Sequence, residues 1–481
     1  MDSDFDFSDF EEHVPKHADF DAEKPEIDHH KRVLPCKVDD LDLQQPPGFV
    51  GRVADWVDSQ CRYPRRRLAV ASSIVAIGNI AGLRYRDAHG DISPNMIAFC
   101  VAASSTGKEA VMQAFNELHR AAGVAGAIHG SIKSEQEIMR NAIDQQASYY
   151  SIDEIGIFLT KVRKAQRGNS GASYLEGVFG AIMSLYSKAN SFMPLGGDTA
   201  RDLRKSLTAG LSRAEENGDE KAIAIYRRKL DTLDRGLERP FMSLVGYTTP
   251  STFDGIMDGE TATQGLVGRA IIVNEPDINP SPRLGFSKPA MPMVMSMKLF
   301  ALSGRDVDDI GPVDMTGTER EPIETDPAAA KLLDEILLWL IEYGHDAAEE
   351  TGEASVAMVR RCYEQVAKVS FILGVGDGVR TVDHVRWAFA YCKAELDAKV
   401  ALVFANDNAK SNPQEALAAR IMGRLDHEKG KSVAVLANQL KVDRSSIEPI
   451  LHNLKEKGLC DEKIGKRLYR GQKVASWFLS G

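Results

Sequence analysis

The chain has 481 residues, of which 43% are hydrophobic, 27% charged and 7% aromatic. That fits about two to four globular domains and excludes a disordered, collagen-like or disulfide-stapled protein. Asp and Glu (69) outnumber Lys and Arg (59) for a net charge of −10, so any nucleic-acid contact must use a local basic patch.

Residues 1–45 read as an acidic, disordered tail. Its first thirty residues carry eleven Asp/Glu against two Lys, with phenylalanines interleaved from Phe5 to Phe10. Such a segment buries too little apolar surface to fold alone; the functional alternative is a short docking peptide, its phenylalanines filling a pocket and its carboxylates facing a basic rim. Residues 46–94 form an N-terminal helical region, with helices over 49–61 and 65–82. The continuously apolar run to Ala102 predicts a strand buried on both faces, followed by a tight loop and a helix from Gly107. Further strands are expected at 149–152, 241–246 and 270–273, giving an α/β core with a parallel sheet over 95–280. A charged helical insertion occupies 198–238. Residues 281–326 read as connecting loops, 327–405 as a helical region, 406–413 as a polar linker, and 413–481 as a separate small domain. The six scattered cysteines and the absence of a basic-then-apolar leader fit a reducing cytoplasm, and no segment reads as a membrane span.

Residues Ala102 to Glu109 match the phosphate-loop pattern G-x-x-x-x-G-K-[ST] with Ala102 for the first Gly and Glu109 for the last hydroxyl residue. Backbone N–H groups around Ser104, Ser105, Thr106 and Gly107, at a helix N-terminus, would cradle phosphates, and Lys108 would reach the β/γ-phosphates. The Glu109 replacement puts the usual hydroxyl ligand of Mg²⁺ in doubt; its carboxylate is the alternative. Forty-five residues on, an apolar run ends in Asp153-Glu154. Asp153 would orient Mg²⁺ and Glu154 would polarise the attacking water; a helix-capping acid pair is the alternative. Thr248 or Thr249, after the 241–246 strand, could sense the γ-phosphate. Arg269, at the start of the last strand, could reach a neighbour's γ-phosphate or form a surface salt bridge.

Two basic surfaces stand out. From Lys410 to Gly481, fourteen Lys/Arg face eight Asp/Glu. The pattern there is a winged helix, with helices at 415–428, 433–441 and 447–457, the last capped by Ser446 so that Pro449 falls at its third position. A hairpin turning at Ile464-Gly465 follows. Arg444, Ser445, Ser446, His452 and Asn453 would meet bases or phosphates, and Lys466, Arg467 and Arg470 phosphates; a protein-interaction module is the alternative. The second surface is Lys161, Arg163, Lys164 and Arg167, a candidate channel lining for single-stranded DNA or an ordinary solvated helix face.

Taken in order, Pro47-Gly48-Phe49, Gly107-Lys108-Glu109, Ser134, Ile152-Asp153-Glu154-Ile155-Gly156, Gly246-Tyr247-Thr248-Thr249-Pro250 and Gly265 to Arg269 resemble one family. It is the replicative-helicase-like P-loop family of phages, plasmids and integrated elements, associated with primase–polymerases. The resemblance spans about residues 46–400. It implies a RecA/AAA+-like ASCE P-loop NTPase core, with ATP and Mg²⁺ as cofactors, in a bacterial host cytoplasm. It further implies a homo-oligomeric ring, a hexamer, that translocates on single-stranded DNA and opens forked DNA, with the acidic tail docking a replication protein. An acidic residue after the loop lysine is common there, which fits Glu109. ATP would lie between Lys108, Asp153 and Glu154 of one subunit and Arg269 of the next. The other expectations are an ATP-switched, origin-binding initiator or helicase loader, and a binding protein with a degenerate phosphate loop.

Overall fold

The computed structural model describes residues 33–88, 92–166, 175, 177–253, 265–306, 312–313, 319–351, 353–411, 413–422, 424–425, 430–440, 442–456, 458–469 and 472–479. The phenylalanine-containing acidic segment, Arg167 and Arg470 lie outside them. The chain divides into two units, Met1–Pro35 and Cys36–Gly481. The expected tail therefore ends earlier than residue 45. Arg386 bonds Lys37 O at 3.0 Å and ion-pairs Asp40, and Trp387 Nε1 donates to Asp42 O.

Helices α1 (Gly48–Ser59) and α2 (Arg66–Ala81) precede a short strand, β1 (Tyr85–Asp87). An alternating α/β run follows: β2 (Ile97–Val101), α3 (Lys108–Ala121), β3 (Ile128–His129), α4 (Glu135–Asp144), β4 (Ala147–Ile152), α5 (Ile155–Gln166) and α6 (Val178–Ser187). The charged insertion is a helical hairpin, α7 (Gly197–Glu216) and α8 (Glu220–Arg235), between the paired strands β5 (Phe192–Met193) and β6 (Leu237–Glu238). Then come β7 (Phe241–Thr248), α9 (Pro250–Phe253), α10 (Leu266–Arg269) and β8 (Ala270–Asn274).

Five strands form one parallel sheet in the order β3-β4-β7-β2-β8. All eight β7 residues and all five of β2 are buried, as strands covered on both faces require. Helix α2 is buried along its whole length from Leu68 to Ala81, packing on β2, β7 and β8, while α5 and α6 pack on β7. Helix α4 begins as expected at Ser134, whose side chain accepts from Glu137 N at 3.1 Å and satisfies one of the first-turn N–H groups. Strand β3, two residues long, was not foreseen.

The stretch 281–326 is not all loop. It holds α11 (Met293–Ser303), with Met295, Leu299 and Leu302 facing inward at helical spacing, and β9 (Glu321–Thr325). The helical region follows as α12 (Pro327–Thr351), α13 (Glu353–Asp377), β10 (Val379–Arg380) and α14 (Val382–Ser411). The polar linker expected at 406–413 is largely the end of α14. Elongating a formed helix adds one hydrogen bond per residue fixed, so polar residues can continue what a buried segment began. Strands β1, β9 and β10 make a second parallel sheet, clasped by the buried Arg380–Asp87 ion pair and by Arg380 bonds to Thr325 Oγ1.

The small terminal domain has α15 (Pro413–Met422), α16 (Val433–Leu440), α17 (Arg444–Glu456) and an antiparallel hairpin, β11 (Cys460–Tyr469) and β12 (Gln472–Leu479). Ile421, Leu436, Leu440, Ile447, Leu451, Leu454 and Trp477 form its core. Three details depart from expectation. Helix α15 ends at Met422, short of residue 428. Helix α17 starts at Arg444, so Ser446 is inside it rather than its cap, and Pro449 is an interior proline that removes one i→i−4 bond. Ile464-Gly465 is not the hairpin turn: register shifts between Ile464 and Leu468, and the strands close across Tyr469 and Gln472. Glycine inside a strand commonly marks such an irregularity.

Candidate functional site

The C-terminal ends of β2, β7 and β4 lie side by side, with Val101 opposite Thr248 and Ile152 opposite Gly246. Residues 102–109 leave the end of β2. Ala102 N donates to Thr248 O, and Thr106 Oγ1 donates to Ala103 O at 2.7 Å, closing the loop on itself. Ser105 and Gly107 have φ of 61° and 100°, a left-handed conformation that glycine adopts without strain. Ser104 and Ser105 are exposed and Thr106 is buried. Lys108 is the first residue of α3, so the loop ends on a helix N-terminus, where free N–H groups and the helix dipole favour anions.

The acid pair follows β4 directly. Asp153 is exposed and its Oδ1 accepts from Glu154 N at 2.9 Å. Glu154 has φ 52°, a conformation that costs a non-glycine residue about 1 kcal/mol and is held by its surroundings. Its Oε1 accepts from Lys108 Nζ at 2.8 Å, with the lysine side chain 10% and the glutamate 40% exposed. The two expected groups, 46 positions apart in sequence, thus meet. Thr248 lies at the end of β7, between β2 and β4 in the sheet. It is buried, and its hydroxyl shares a 2.7 Å hydrogen bond with Thr252. A Cβ on Gly156 would come within 2.6 Å of Thr248 Oγ1, so only glycine lets α5 start this close to the strand end.

Glu109 is exposed, and its carboxylate accepts from Gln113 one turn along α3. No group of three or more His, Cys, Asp or Glu among the described residues could hold a metal ion. This donor set still suits Mg²⁺, which commonly takes one or two carboxylates and completes its shell with phosphate oxygens and water.

The residue that sequence reasoning missed is Arg65. It is fully buried behind the loop, with Nε on Thr106 O and Nη1 on Asp277 O at 2.9 Å. Its own N–H donates to Asp58, which ion-pairs Arg283 at 2.6 Å. A Cβ on Gly107 would meet Tyr63 O at 3.1 Å, so the turn at 62–65 sets the position of the loop. The basic turn was visible in the sequence; that one of its arginines is buried was not.

Arg269 sits at the N-terminal end of β8, away from the edge of the sheet that leads into residues 102–109. Its side chain is half-buried, donating to Gly265 O beside Arg361. The basic residues of α5 start about two turns beyond Glu154: Lys161 and Lys164 are exposed and Arg163 is half-buried. In the small domain, Arg444, Ser445, Ser446, His452 and Asn453 are all exposed on α17, with the His452 ring edge-on to Trp477. Lys466 and Arg467 fall within β11. All six cysteines are free thiols, and no helix among the described residues is long and apolar enough to cross a membrane.

No protein-family model matches the chain, and no curated protein is significantly similar to it in sequence.

Proposed function

We propose that this chain is an ATP-dependent DNA helicase of phage or mobile-element replication, a ring-forming motor that moves along single-stranded DNA. The observation that carries the reading is the meeting of Lys108 and Glu154 at the C-terminal edge of a parallel sheet, with Thr248 on the strand between theirs. Ligands of open α/β sheets bind at that edge.

In this reading the α3 N-terminus and the backbone of Ser104 to Gly107 hold the phosphates of ATP, and Lys108 exchanges Glu154 for the β/γ-phosphates. Glu154, freed of the lysine, orients and polarises a water for attack on the γ-phosphorus. The Thr248 hydroxyl, at the end of the strand between theirs, would register whether a γ-phosphate is present. Asp153 and Glu109 are the carboxylates available to Mg²⁺, which would supply charge neutralisation at the phosphates. The hydrolysis cycle is transmitted to DNA through α5, which starts at the acid pair and carries Lys161, Arg163 and Lys164. The terminal domain is read as a winged helix presenting α17 and its hairpin to duplex DNA.

That exposed face of α17 also favours the second reading, an ATP-switched origin-binding initiator. ATP hydrolysis with and without single-stranded DNA, comparing wild type with Lys108→Ala, tests the motor. DNA-stimulated turnover that the substitution abolishes is expected. ATP binding without turnover refutes it, and turnover without unwinding of a forked duplex favours the initiator.

A further inference from the structure

Three arginines from separate stretches of the chain gather at the base of the helical insertion. Arg86 lies in β1, Arg239 between β6 and β7, and Arg320 just before β9. Arg320 Nη1 donates to Asn190 Oδ1 at 2.8 Å, and the next residue, Ser191, accepts from Arg239 N at 3.0 Å. Arg86 Nε donates to Arg320 O at 3.3 Å. These bonds draw the three residues to one place, where each is half-buried. Arg239 takes φ 47° there, an uncommon backbone conformation for a residue with a side chain.

The carboxylates nearby are engaged elsewhere or stand off. Asp87 is paired with Arg380, and Glu321 with Arg84 at 2.9 Å. Glu238 is exposed, and its Oε1 is 4.0 Å from Arg239 Nε, the outer limit of an ion pair. Among the described residues, Arg86 otherwise meets main-chain carbonyls, Asp87 O at 3.4 Å and Ala88 O at 3.3 Å. The side-chain partner of Arg320 is the neutral Asn190 amide. Burial, and then the charges of Arg239 and Arg86, push Arg320 down to about 10. Half-buried like charges are costly until an opposite charge joins them. Each guanidinium has five N–H donors, more than Arg86 and Arg320 use in these bonds.

The cluster is separate from residues 102–109. Arg239 stands two positions before Phe241, the first residue of β7, whereas Ala102 bonds Thr248, the last. Seven steps of strand put about 23 Å between those two ends. We propose that Arg86, Arg239 and Arg320 form a site for a doubly charged phosphate group, supplied as free phosphate or as the phosphorylated end of a nucleic-acid strand. A planar guanidinium pairs two oxygens at a time. Three of them arriving from different elements suit a tetrahedral group with several free oxygens better than a flat carboxylate. Two negative charges also offset more of the triad than the single charge of a phosphodiester.

The test follows thermal unfolding and equilibrium binding of the full chain in chloride buffer at fixed ionic strength, titrated with inorganic phosphate. Wild type should show a saturable rise in unfolding temperature, as a ligand of the folded state gives. Arg320→Gln and Arg239→Gln should each weaken phosphate binding at least ~10-fold, as loss of a charged hydrogen bond does. Their unfolding temperatures without phosphate should stay near or above wild type, because removing one charge relieves repulsion. Lys108→Ala should keep the full phosphate response. An oligonucleotide with a 5′-phosphate that outbinds its 5′-hydroxyl counterpart, by a margin lost in Arg320→Gln, identifies a strand end as the source; equal binding of the two beside an intact phosphate response identifies free phosphate. No response in wild type, a response abolished by Lys108→Ala, or one retained by both arginine variants overturns the inference. So does a fall in unfolding temperature of both variants without phosphate, which would make the arginines structural.

Discussion

Glu154 holds the Lys108 ammonium at 2.8 Å, whereas in the proposed reading the lysine faces phosphate when ATP binds. The pair therefore competes with the ligand. With the glutamate side chain 40% exposed, an ion pair of this kind contributes about 1 kcal/mol. Glu154→Gln removes that competing contact, together with a negative charge beside the polyphosphate. ATP affinity should rise by about 1 kcal/mol, roughly a fivefold lower Kd, while loss of the water-polarising carboxylate lowers turnover by at least ~100-fold. The assay is equilibrium titration with a fluorescent ATP analogue at low and high salt, paired with steady-state hydrolysis. The affinity gain should shrink at high salt, because a half-exposed pair is screened. Weaker binding by the Gln variant, or undiminished hydrolysis, would refute the reasoning.

Two further outcomes are expected. Burial pushes His119 down to about 4; its Nδ1–H donates to Phe115 O, and Nε2 accepts from Asn79. Because the unfolded chain protonates near pH 6.5 and the folded one does not, this histidine's full stability is present above about pH 6.5. It is lost as pH falls toward about 4, for a total of about 3 kcal/mol. Urea unfolding at several pH values should show that slope in wild type and a flatter one in His119→Gln; equal slopes would remove His119 as the cause. In the full chain, Arg444→Ala should weaken duplex-DNA binding and reduce the slope of log affinity against log salt by about 1, as loss of one phosphate contact does. An unchanged salt slope would take Arg444 off the DNA surface.

Much of the core was legible because local signals agreed with the fold. An unbroken apolar run specifies a strand covered on both faces, and Ala102-to-Lys108 and Asp153-Glu154 stand where strand-to-helix turns must come. Errors came where a local pattern admits two outcomes. Ser446 is a good cap residue, but α17 starts two positions earlier and accommodates Pro449 internally. Gly465 looks like a turn, yet the strand runs through it. The residues 406–411 look like a linker but continue a helix.

The sequence alone determined the alternation of strands and helices, the loop at 102–109, the acid pair and the basic terminal domain, because these depend on the period of apolar residues and on the conformational limits of glycine and proline. Tertiary structure decided the rest. Strand order put β7, and so Thr248, between the strands that lead to Lys108 and Glu154; burial turned Arg65 from one of four surface-like arginines into the support of the loop; and packing of α13 on α10 set Arg361 beside Arg269, 92 positions away. Such contacts join residues remote in sequence, and no local propensity encodes them.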